Sequence, residues 1–118
     1  MAYDEELADR IREQMAEVAD VTKQKMFGGL AFLVGGHMAV AASGRGGLMV
    51  RVDPERSDRL VSTTAATRMV MQGREMDGWL RVDAEHVRTT RQLSVWVRRG
   101  AAYASSLPPK PPKKPRRR

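Results

Sequence analysis

Six cations, Lys110, Lys113, Lys114, Arg116, Arg117 and Arg118, stand among the last nine residues, with prolines between them. Dense positive charge of this kind binds polyanions by releasing condensed counterions, so affinity falls steeply with salt and carries little sequence readout. Proline favours extended backbone, which keeps the charges spread. A solubilising tail is the other use of the same residues. The remaining residue types offer less chemistry. His37 and His86 lie far apart and in no ligand spacing such as His-x-x-x-His, so a zinc site would need carboxylates gathered from several elements, and solvated turn positions suit them better. Ser43, Ser57, Ser62, Ser94, Ser105 and Ser106 stand in no Gly-x-Ser-x-Gly setting, and nothing marks one of them as a nucleophile. Gly44-Arg45-Gly46-Gly47 lacks the Lys-Ser/Thr of a phosphate loop and leads into a β-rich run, which fits a hairpin turn. The sequence has no cysteine, which removes disulfides and thiolate chemistry together. These readings predict no catalytic residue, no metal and no cofactor.

The formal charge of +7 divides unevenly along the chain. Residues 1–109 hold 15 Lys+Arg and all 14 Asp+Glu, a net of +1, while residues 110–118 hold six cations and no acid, a net of +6. Within the body, residues 1–20 carry seven acids against Arg10 and Arg12, so 21–109 are net +6. An acidic first helix beside a basic surface is the expectation. A chain of 118 residues has room for one core, so the organisation expected is a domain over 1–109 and a basic Pro-rich tail over 110–118. The longest apolar stretch, 28–42, is interrupted by Gly35, Gly36 and His37, too short a run to cross a bilayer. The start, Met1-Ala2-Tyr3-Asp4-Glu5-Glu6, is acidic where a secretory leader would be basic, so the cytoplasm is the expected compartment and no membrane partner is expected.

The elements that must position these residues follow from periodicity. Leu7, Ile11, Met15 and Val18 form one stripe, which predicts a helix over about 4–18, ended by Asp20. Between 21 and 53 glycines recur at short intervals, and the runs 21–27, 30–34, 38–43 and 48–52 read as an antiparallel meander. Alternation places Leu30, Phe32 and Val34 on one face, Met38 and Val40 together, and Leu48, Val50 and Val52 opposite Met49, Arg51 and Asp53. Asp53-Pro54 predicts a short helix over 54–61, because Asp caps free N–H groups and Pro tolerates the first helical position. A loop over 63–67, strands over 68–72 and 79–82, and a last helix opened by a Thr89/Gln92 capping box complete the reading. That helix buries Leu93, Trp96, Val97, Ala101 and Ala104, with Gly100 suited to close packing, and Pro108-Pro109 stops it. If Leu80 faces the core, Trp79 points away from it beside Arg81. That makes an exposed contact for a dimer or a base to stack on, or a lid over the sheet edge.

Three stretches of this pattern resemble one known family. Lys25-Met26-Phe27-Gly28-Gly29-Leu30-Ala31-Phe32, then Gly35-Gly36-His37-Met38-Ala39, then Leu48-Met49-Val50-Arg51-Val52 are similar to the TfoX/Sxy family's N-terminal domain, with Met26, Phe27, Gly28 and Gly29 its most specific part. Met76-Asp77-Gly78-Trp79 and Trp96-Val97-Arg98-Arg99-Gly100 extend the likeness over residues 3–109. The resemblance implies a two-layer α+β fold, an antiparallel sheet of about five to six strands with N-terminal and C-terminal helices packed on it. Full-length members resemble transcriptional co-regulators of natural competence and carry a second, helical domain where this sequence has its basic tail.

The function expected is therefore a non-enzymatic regulatory or adaptor domain. It would meet a protein partner through the domain and bind nucleic acid weakly and non-specifically through the tail. The alternative is a pure protein-interaction module, a homodimer through a sheet edge or Trp79, with a solubilising tail.

Overall fold

Asp4 opens the first helix, its carboxylate accepting from the backbone N–H groups of Glu6 and Leu7 at 3.0 and 3.1 Å. An Asp cap of this kind contributes about 1 kcal/mol. The computed structural model describes residues 3–26 and 28–108. Helix α1 spans Glu5–Gln14, shorter than the periodicity predicts, because Asp20 takes a φ of 61° to turn the chain into the sheet. The Asp20 carbonyl then accepts from Gly35 N–H at 3.1 Å. Leu7, Ile11 and Met15 of the predicted stripe are buried, and Val18 packs half-buried beside them outside the helix.

Six strands follow: β1 (Val21–Met26), β2 (Gly29–Val34), β3 (His37–Ala42), β4 (Leu48–Arg51), β5 (Thr67–Met71) and β6 (Arg74–Val82). They make one antiparallel sheet in the order β1-β2-β3-β4-β6-β5, so β1 and β5 are its edges. A 3-10 turn, Pro54–Arg56, and helix α2, Ser57–Thr63, connect β4 to β5, and helix α3, Thr90–Ser106, ends the fold. The class is α+β, as expected. Asp53 accepts from Glu55 N–H at 3.0 Å, the cap read in the sequence, although the first turn is 3-10 rather than α.

Two alternation readings change. Met38 and Val40 do not share a face: Val40 lies in the helix-covered core and Met38 on the other side. The register jumps from Phe32↔Val40 to Leu33↔Met38, leaving Ala39 as an extra residue, and a bulge of one residue reverses the side-chain parity beyond it. The strand predicted over 79–82 begins at Arg74, because β6 passes through a second irregularity at 77–79 and resumes pairing with β5 at Met76↔Met69. Buried Ser57 holds that irregularity, its Oγ accepting from Gly78 N–H at 2.6 Å.

The main core lies between the sheet and the helices. Phe32, Leu48, Val50, Leu80 and Val82 face Ile11 of α1 and Leu93 of α3, all at most 1% exposed. Thr89 and Gln92 form the predicted capping box, each side chain accepting from the other's backbone N–H at 3.0 Å. Leu93, Trp96, Val97, Ala101 and Ala104 form the buried stripe of α3. Gly100 stands where a Cβ would lie 2.3 Å from the Ala39 carbonyl oxygen, so only glycine lets α3 approach β3 this closely. The bulge that displaces Ala39 and the glycine that accepts it are therefore one packing solution. Among the described residues no helix is long and apolar enough to cross a membrane.

Candidate partner-binding surface

Strand β6 carries the residues singled out for partner contact. Leu80 and Val82 are fully buried against the helices, so Trp79 and Arg81 emerge on the opposite face of the sheet. There they are half-buried rather than exposed. Trp79 packs against a second apolar cluster, Ala31, Leu33, Met38, Ala41, Met49 and Met69, to which strands β2 to β5 contribute and which Met26 of β1 borders. Its ring also lies 5.1 Å from the guanidinium carbon of Arg51, its direct partner across β4 and β6. The same guanidinium lies 5.6 Å from the Tyr103 ring of α3. A cation between two aromatic faces contributes on the order of 1 kcal/mol and fixes both rings.

Arg81 is a clamp. One guanidinium nitrogen donates to Ser43 Oγ and the other to the Gly46 carbonyl, both at 3.0 Å. Ser43 Oγ in turn accepts from Arg45 N–H at 3.1 Å, so a buried hydroxyl and a guanidinium fork set the shape of the β3–β4 loop. Arg68 is committed in the same way, to Asp58 and Asp77, and the hydrogen bonds it donates to these two carboxylates raise its pKa above the usual arginine value.

These side chains border a hollow of about 490 Å³ floored by Met49, Met69 and Met71 and rimmed by Arg45, Arg68 and Arg81. Arg45 is exposed. Thioether side chains adapt to varied shapes, so the hollow suits an apolar side chain, and among the described residues Arg45 is the one rim guanidinium not already bound within the protein. Of the lining residues, Val70 (61%) and Met71 (37%) on edge strand β5 are the exposed apolar ones. The opposite edge, β1, turns Lys23 and Lys25 to solvent, a charge arrangement that discourages strand addition.

The glycines of the family motif have a steric reason. A Cβ on Gly29 would lie 2.1 Å from the Ala42 carbonyl oxygen, and one on Gly44 would lie 2.5 Å from the Gly28 carbonyl oxygen. The β1–β2 turn thus rests backbone to backbone on the β3–β4 loop that Arg81 clamps. Met26 borders the second cluster, while Phe27 lies outside the described residues. The tail residues Lys110, Lys113, Lys114, Arg116, Arg117 and Arg118 also lie outside them. The described chain ends at Pro108, whose carbonyl accepts from His37 Nε2 at 2.7 Å. His86 lies 3.2 Å from Glu85, and among the described residues no group of three His, Asp or Glu is placed to hold a metal ion.

Sequence reasoning weighed Ser43 and Ser57 only as nucleophiles and Arg51 only by its strand face, and missed the contacts that they make. Arg51 carried a partial signal, since its alternation with Val50 and Val52 puts it on the second face. Pairing it with Trp79 required the β4–β6 register, which skips β5. Ser43 and Ser57 act through contacts 38 and 21 residues away, and no local pattern announces those.

Compared with known proteins, the chain matches the family model of the TfoX N-terminal domain over residues 13–104, which takes in the sheet and nearly all of α3. No curated protein matches it.

Proposed function

The chain belongs to the TfoX N-terminal domain family, and from that premise we propose that it is a cytoplasmic regulatory adaptor, not an enzyme, which engages a protein partner through the hollow and nucleic acid through the tail. The observation that carries the reading is the hollow itself. Its methionine lining, with exposed Val70 and Met71 at the β5 edge, gathers adaptable apolar surface next to the exposed guanidinium of Arg45. A competence-type or transcriptional role fits a domain that recognises another protein while a separate charged segment, Lys110 to Arg118, stays near nucleic acid. Six cations supply a non-specific, salt-dependent attraction of the kind such a division needs.

The test is direct binding to labelled DNA and RNA by the full chain and by a full-length variant with all six tail cations replaced by glutamine. The native chain is expected to lose affinity steeply as salt rises, and the variant to bind far more weakly at low salt. Equal binding by both would remove the tail from the proposal.

A second reading rests on edge strand β5. Its exposed Val70 and Met71, without the lysines that guard β1, favour a homodimer formed by strand addition. Sedimentation or light scattering of the native chain and Val70→Lys distinguishes the readings. A native dimer that the substitution dissociates supports this one, and a native monomer at every accessible concentration rejects it.

A further inference from the structure

A second basic surface lies on the helical side of the molecule, where Asp53 and the 3-10 turn meet α2 and α3. It is a cleft of about 390 Å³ whose apolar floor includes Val52 and Leu60, both at most 9% exposed, and whose rim carries Arg56, Arg98, Arg99 and Tyr103. Arg56 and Arg98 are exposed, and among the described residues none of the three arginines is ion-paired with a carboxylate. The one acid in the lining, Asp53, is occupied by the backbone N–H of Glu55. Arg99 lies with its guanidinium carbon 4.5 Å from the Trp96 ring centre. Tyr103 is held by Arg51, which also faces Trp79.

We propose that this cleft is a phosphate-backbone contact of the folded domain, at the end of the sheet where Pro108 precedes the basic tail in sequence, so that one nucleic-acid strand meets both. Two observations lead there. First, guanidinium forks match phosphate oxygens, and among the described residues Arg56, Arg98 and Arg99 flank a single cleft with no carboxylate bound to them, its one acid, Asp53, accepting instead from Glu55 N–H. Second, the cleft and Pro108, where the described chain ends, lie at the same end of the sheet. β3 and β4 are antiparallel, so His37 at the start of β3 lies at the end of the pair where Val52 and Asp53 follow β4, and His37 is hydrogen-bonded to Pro108. Along α3, Arg98 and Ser106 are separated by about 12 Å at the usual rise per residue, a span that a few successive nucleotides of one strand cover. The hollow on the other face offers no such arrangement, since Arg68 and Arg81 are already committed within the protein.

The inference rests on the tail reading for its ligand class, and the two fail separately in a factorial experiment. Four full-length proteins are titrated with a labelled oligonucleotide, as single strand and as duplex, across a range of salt. They are the native chain, Arg56→Gln/Arg98→Gln, the chain with its six tail cations replaced by glutamine, and the combination. Loss of two phosphate contacts is expected to lower the slope of log affinity against log salt by about 1.4 on single strand and about 1.8 on duplex. The former corresponds to about 25-fold weaker binding at about 0.1 M salt. The same decrement is expected whether or not the tail is charged, and Arg56→Lys/Arg98→Lys is expected to keep the native slope. Lys23→Gln/Lys25→Gln removes the same charge from exposed positions on edge strand β1 and should leave the slope nearly unchanged. The proposal is overturned if the cleft variant keeps its parent's slope in both tail backgrounds, or if the remote pair lowers it equally. An equal loss in binding polyglutamate would also overturn it, marking the cleft as a site for acidic protein. Unchanged binding after tail neutralisation alone counts against the tail and leaves the cleft decrement readable.

Discussion

The two faces of the sheet are built from different side chains, and the difference separates what makes the fold unique from what leaves it adaptable. Toward the helices stand Phe32, Val40, Leu48, Val50, Leu80 and Val82, branched or aromatic, closed over by α1 and α3. Toward the other side stand Met38, Met49 and Met69 with Ala31 and Ala41, joined by Trp79 and bordered by arginines already tied to neighbours. Branched chains in a closed core have one good arrangement. Thioethers have several of similar energy, so the second face can change shape without threatening the first.

Substitutions that open or overfill the helix-covered face should break this comparison most severely. Phe32→Ala is expected to cost about 4 kcal/mol in denaturant unfolding, because a fully buried ring leaves a cavity between sheet and helices. Gly100→Ala comes next at about 3 kcal/mol, since its Cβ meets the backbone oxygen of Ala39 and α3 must retreat from β3. Finding Gly100→Ala neutral in chemical unfolding would mean that α3 does not lie against the Ala39 bulge. On the second face, Met69→Ala should cost about 2 kcal/mol and Met69→Leu under about 1 kcal/mol, because neighbouring methionines close over the change. A penalty for Met69→Ala as large as that for Phe32→Ala would erase the distinction between the faces. Smallest of all, Val70→Lys on edge β5 should move monomer stability by no more than about 0.5 kcal/mol while weakening any self-association that uses that edge.

Much of the helix-covered face was legible in the linear chain. The stripe of α3, its Thr89/Gln92 box, the Asp53 cap and the alternation of Leu48, Val50 and Val52 are local signals, each generated within one element and each present in the structure. The second face was legible only in part. Alternation groups Met38 with Val40, but the Ala39 bulge lies between them and parts them, and nothing in His37-Met38-Ala39-Val40 marks where an extra residue will be accommodated. Trp79 and Arg81 were correctly turned from the core, but their half-burial depends on Met49, Arg51 and Ser43, which arrive through strand pairings that periodicity does not encode. The α2–α3 cleft was unreadable for the same reason. Arg56 and Arg98 are 42 positions apart, and each alone is an ordinary solvated arginine.

By itself the sequence determined the class of fold, the order of most elements, the family and the division between a nearly neutral domain and a strongly basic terminal stretch. All of these depend on residue type and short spacing, where hydrophobic period, caps and turn residues act within a few positions. Only the tertiary structure decided the strand order that places β6 between β4 and β5, the bulge that inverts β3, and which arginines are committed to clamps and which face a cleft. Those outcomes follow from contacts between distant segments, in which a guanidinium is either satisfied within the fold or left to solvent. The basic stretch that first suggested a polyanion partner thus has a counterpart on the folded domain that no linear pattern displays.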